Sequence, residues 1–216
     1  PCGTLFPYTT LFRSIREGFW LFATPVTQAL YEAVIGENPS RFKGAERPIE
    51  QVSWHDAQAF LARLNQRVPG LGLVLPSEAQ WEYACRAGTT PATYAGDFPD
   101  AKERGVEVVD LIAWFRGNSH GETHPVGLKR PTPWGVYDML GNVLEWCDDH
   151  WRDNYDGAPV DGSPWIDPGA GDDAVRVFRG GSWLGGMRGC RAASRRRDQP
   201  GFAGDGLGFR PARGQG

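Results

Sequence analysis

Sulfur and histidine are scarce in this chain, with four cysteines, two methionines and four histidines among 216 residues. The cysteines (Cys2, Cys85, Cys147, Cys190) stand far apart with no CxxC pair, which excludes a disulfide framework or a cysteine-rich zinc module. Dispersed thiols suit a reduced setting, so a cytoplasmic location is expected. No run reaches the ~20 apolar residues of a membrane-spanning helix, and no signal peptide is legible, so no membrane association is expected. A net charge of −3 supplies no global attraction to nucleic acid. Lysine is absent between Arg176 and Arg213, although nine arginines fall there.

What the chain does have is 29 glycines, 17 prolines and nine tryptophans. That mixture implies short elements, many turns and a core built from large rings. The length allows one large domain or two small ones, and no linker or internal repeat divides it. Charge is unevenly placed. Between Asp138 and Asp173 there are ten acidic residues and one basic, Arg152. Against the nine arginines that follow stand only Asp198 and Asp205. Two readings fit: the segments neutralise each other, or the arginines line a pocket for an anionic ligand or partner. The opening stretch, Pro1 to Ser14, shows no pattern tying it to the rest. Thr4 to Ser14 reads like translated sequencing adaptor, so residues 1–14 are set aside and the native start is expected to be lost.

Glu17 to Ala23 is a short aromatic strand candidate. Thr27 is placed to cap a helix bearing Leu30, Tyr31 and Val34. Ser53 with Asp56 predicts a capping box opening a helix over Trp54 to Val68. Ser77 with Gln80 predicts another, over Glu78 to Ala87 and stopped at Gly88. Leu73-Val74-Leu75 between them reads as a strand ended by Pro76. Beyond Gly88 periodicity is weak, and Ile112–Arg116, Gly135–Met139, Val143–Cys147, Arg176–Arg179 and Gly208–Pro211 are strand candidates set in loops. The class is α+β.

Five blocks recur at telling positions: Val52-Ser53-Trp54, Leu75 to Ala84 (LPSEAQWEYA), Asp138 to Trp146 (DMLGNVLEW), Arg179-Gly180-Gly181-Ser182-Trp183 and Gly208-Phe209-Arg210. In this order and spacing the chain resembles the sulfatase-modifying-factor family, whose named enzyme generates formylglycine. The resemblance covers Phe19 to Arg213. It implies a C-type-lectin-like fold, with a small twisted antiparallel sheet, flanking helices and much irregular loop. Trp81, Trp146 and Trp183 are then core or pocket-floor residues.

The resemblance implies a copper(I) site of two thiolates, one shortly after the Gly-Gly-Ser-Trp block and one five residues on. Gly185 stands at the first position, and Cys190, counted without gaps, at the second. Copper is therefore not expected, and Cys190 would be catalytic only in a diverged oxidase. The resemblance also implies structural calcium held by Asp138, Gly141, Val143 and Glu145, oxygen ligands that suit this ion. His120-Gly121-Glu122-Thr123-His124 is not the helical HExxH of zinc proteases and reads as a turn. No phosphate-binding glycine loop or nucleophilic serine elbow is present.

The segment Leu184 to Asp205 remains. Pinned at both ends and without period, it has the character of a binding surface. Variable proteins of diversity-generating retroelements, similar in fold, vary this same region; simple divergence of an ordinary family member is the favoured account. The expected reading is a non-oxidase binding member, with a formylglycine-generating or related oxidase as the alternative. Trp183, Arg188, Arg191, Arg195, Arg196 and Phe202 are the expected lining, facing a protein or a small anionic ligand and not nucleic acid.

Overall fold

Helices begin where the sequence supplies their caps. The computed structural model describes residues 15–98 and 104–214; the set-aside opening segment lies outside them. The first helix, α1 (Gln28–Ile35), has Thr27 accepting the Leu30 amide and ends at Gly36, whose φ of +96° suits glycine. In α2 (Trp54–Arg67) the Ser53 hydroxyl accepts from the Asp56 amide at 3.1 Å while the Asp56 carboxylate takes the Ser53 amide at 2.8 Å. Ser77 and Gln80 form the same box at 3.0 and 2.9 Å at the start of α3 (Glu78–Arg86). Both boxes are as the sequence predicts.

The strands fall into two sheets. In the first, β1 (Phe19–Leu21) and β2 (Leu73–Val74) both pair antiparallel with β7 (Ala212–Gly214). The second has the order β5-β4-β3-β6, from β3 (Leu144–His150), β4 (Arg176–Arg179), β5 (Arg195–Asp198) and β6 (Leu207–Gly208). Only the β3–β6 pair is parallel. Alternate residues of this sheet feed two cores. Cys147 and Val177 join Trp81, Met139 and Leu140; Trp146 and Phe178 join Phe60, Ile49 and Phe209. The result is the α+β architecture expected, with long loops between short strands.

Two strand expectations are overturned. Ile112 ends a helix, α4 (Arg104–Ile112), and the residues after it turn. Val109 and Ile112, three apart, are both buried in the core, and that packing outweighs the strand preference of a valine-rich stretch. Gly135–Met139 is loop, because Gly135 (φ +78°) and Asp138 (φ +54°) leave extended geometry. Gly208–Pro211 divides between the sheets, with the buried Phe209 and Arg210 at the crossing. Among the described residues no helix is long and apolar enough to cross a membrane.

Candidate binding site

The loop Leu184 to Asp205 rests on buried charge. Arg179, at the end of β4, is fully buried, and its Nη1 donates to Glu78 at 2.9 Å. Its Nη2 donates to Glu82 and to the Ala192 carbonyl, the latter at 2.6 Å. Burial alone would lower its proton affinity, but the Glu82 and Glu78 carboxylates outweigh that and raise it. Arg195 of β5 shares Glu78, donating from Nη2 at 2.8 Å and from Nη1 to the Arg152 carbonyl at 3.0 Å. Its guanidinium also lies 4.3 Å from the Trp151 ring centroid and 4.5 Å from that of Tyr155. Glu78 thus spends the Arg195 fork inside the fold, which leaves little of it for the lining where it was expected. The segment is not irregular throughout either: β5 and a 3-10 turn (Met187–Gly189) lie within it.

Trp183 is fixed from four directions. Its amide donates to the Asn142 carbonyl at 2.9 Å, and its carbonyl accepts from the Ser119 hydroxyl at 2.9 Å. The indole Nε1 donates to the Asp205 carbonyl at 2.6 Å, which ties the two ends of the loop together. The Phe42 ring meets the half-buried indole edge-on at 5.1 Å. Phe42 and Ser119 escaped the sequence reading, since each acts from a distant loop without a local signature. The preceding Gly181 has φ +79°, and a Cβ there would fall 3.0 Å from the Gly189 carbonyl oxygen and 3.1 Å from Cys190 Sγ. Above this floor Leu184 and Phe202 are exposed, as are Arg188, Arg191 and Arg196. Those three arginines make no ion pair among the described residues. Arg116, which the sequence reading passed over, joins them: its amide donates to the Gly185 carbonyl at 2.9 Å.

Sulfur is poorly placed for copper. Cys190 is wholly buried, and burial pushes its thiol up to about 12. A copper ligand must be a thiolate, so binding here would have to displace that proton. Gly185 carries no ligand atom, and Cys85 and Cys147 are buried free thiols, both pushed well up by burial.

The turn Asp138 to Glu145 carries two buried carboxylates. Gly141 has φ +79°, and a Cβ there would lie 2.4 Å from the Trp114 carbonyl oxygen, so glycine alone fits. Asp138 is buried, accepts the Gly127 amide at 2.6 Å, and is pushed up to about 6 by burial. A carboxylate so short of compensation has the chemistry to accept a hard cation. Glu145 fits only as a shared ligand. Arg210 grips both its oxygens at 2.7 Å, and the Trp81 indole donates to one at 2.6 Å.

The histidine turn has other work. His124 stacks on Trp114 at 3.8 Å with its Nε2 on the Ser119 carbonyl, and Glu122 pairs with Arg47.

Comparison with known proteins agrees with this geometry. Residues 12–215 match the model of the sulfatase-modifying factor enzyme 1-like domain. The chain is 35% identical over 182 residues to a formylglycine-generating enzyme of Streptomyces coelicolor, covering 76% of this chain and 52% of that one. It is 30% identical over 220 residues to the inactive C-alpha-formylglycine-generating enzyme 2 of Bos taurus, covering 92% and 60%. Among solved structures, Treponema denticola variable protein 1 superposes with a TM-score of 0.78 at 30% identity, covering 91% of this chain and 84% of that one. The chain spans about half the length of the formylglycine-generating enzymes it matches. The C-type-lectin-like fold is shared.

Proposed function

Since this chain belongs to the sulfatase-modifying-factor family, we propose that it is a member that binds its partner without oxidising it. The binding surface is the loop 184–205 on its Trp183 floor, and the partner a protein or a small anionic ligand. One observation carries the reading: glycine stands at position 185, which leaves the buried Cys190 as the only thiol of the loop where a copper site needs two. The likeness to a variable protein and to a relative named inactive supports it. The test is anaerobic copper(I) titration of the wild type and of Cys190→Ser, alongside a cysteine-containing sulfatase peptide. No thiolate-to-copper absorption and an unaltered peptide are expected. Stoichiometric copper uptake that Cys190→Ser abolishes, together with peptide oxidation, would instead establish the oxidase reading.

A structural calcium ion is part of the same proposal. Asp138 with the Gly141 and Val143 carbonyls would hold it, and Glu145 would share it with Arg210. The ion would supply the positive charge that the buried Asp138 lacks, bracing the turn whose Asn142 carbonyl holds the Trp183 amide.

A further inference from the structure

Several arginines around the loop are already matched. Arg179, Arg195, Arg197 and Arg210 each meet a carboxylate. Arg116, Arg188 and Arg191 are exposed and meet none among the described residues. They are also gathered by backbone geometry around one turn. The Arg116 amide is bound to the Gly185 carbonyl, and its Nη2 lies 4.0 Å from where a Gly186 Cβ would be. Arg188 sits in the 3-10 turn that follows. Arg191 donates its Nε to the Arg188 carbonyl at 2.9 Å, which fixes its side chain there while leaving the outer nitrogens free.

We propose that this guanidinium trio receives an acidic peptide segment of a partner protein. The inference rests on the binding reading above and narrows it. Three planar forks on a fixed turn suit separate carboxylates, each able to accept two parallel N–H bonds. The exposed Leu184, immediately before this turn, gives a peptide side chain something apolar to pack on. A nucleic acid is the other polyanion these forks could meet, and the oligosaccharide competitor below stands in for it. A single exposed arginine–carboxylate pair is weak, so recognition requires the three to act together.

The experiment is fluorescence anisotropy with a fluorescein-labelled peptide of alternating glutamate and serine, at low salt. Its glutamine-for-glutamate counterpart and a heparin-derived oligosaccharide serve as competitors. The acidic peptide is expected to bind, the glutamine version not, and the triple variant Arg116→Gln, Arg188→Gln, Arg191→Gln to weaken binding about tenfold. Arg188→Gln alone, at an exposed position, guards against misfolding and should show part of that loss. Equal binding of both peptides, or an undiminished affinity in the triple variant, overturns the proposal. So does displacement by the oligosaccharide at lower concentration than the peptide. Concentration-dependent dimerisation lost in the triple variant would show a second copy as the occupant, and overturns it too. The broader reading has its own readout: neutral peptides selected by phage display on the wild type and lost in Phe202→Ala would keep the loop as a binding surface with the acidic partner gone.

Discussion

Glu78 and Arg195 meet across 117 positions of chain, with the arginine Nη2 2.8 Å from the carboxylate. The same carboxylate holds Arg179 from the neighbouring strand. Glu78→Gln keeps the shape and removes the charge from beneath two guanidiniums. A loss of about 1–3 kcal/mol is expected in urea denaturation, because Arg195 loses its carboxylate partner while Arg179 keeps Glu82 alone. Amide exchange at Arg195–Asp198 should accelerate more than at α2. Uniform exchange across both would refute the latch.

Glu50 makes the protein sensitive to pH. It is fully buried, its Oε1 accepts the Phe42 amide at 2.9 Å, and its Oε2 has no partner among the described residues. Burial pushes the carboxyl from 4.5 up to about 7. Between those values the folded chain keeps a proton that the unfolded chain has released. Stability therefore falls as pH rises through that window and is lowest above it. Glu50→Gln should flatten this slope and, at pH 8, exceed the wild type by roughly 1–3 kcal/mol. Melting curves of both proteins from pH 4 to 8 check it, and parallel profiles would refute it.

For Asp138 the measurement is a thermal melt with and without chelator. Calcium should raise the wild-type midpoint by several degrees, and Asp138→Ala should abolish the difference. An identical midpoint in all four samples removes the ion from the account.

Two glycines make a matched pair. Gly141→Ala would drive a methyl to 2.4 Å from the Trp114 carbonyl oxygen at φ +79° and should leave little folded protein. Gly185→Ala, with the nearest atom at 3.4 Å, should change stability by less than about 0.5 kcal/mol. Circular dichroism with urea titration separates them, and equal losses at both positions would contradict the geometry.

Local signals were the legible ones. The capping serines Ser53 and Ser77 announce their helices within four residues, and Gly88 marks an end the same way. β5 was hidden because Arg195-Arg196-Arg197-Asp198 has no apolar alternation. Its partner β4 and the rings that stack on it lie elsewhere in the chain. In the same way α4 is decided by tertiary packing of Val109 and Ile112. At the site, sequence could single out Trp183, Arg188, Arg191, Arg196 and Phe202 as candidates by residue type and segment alone. The pairing of Arg195 with Glu78 and the contact of Arg116 with Gly185 are settled only in three dimensions.

The anchoring of β5 has an engineering consequence. Because that strand is clamped at mid-segment, the surface it interrupts becomes two short arcs with separately fixed ends, residues 184–194 and 199–205. The exposed residues of either arc can be exchanged while the buried Cys190 and Ala192 are kept, so the molecule is suited to serve as a scaffold for displaying grafted sequences.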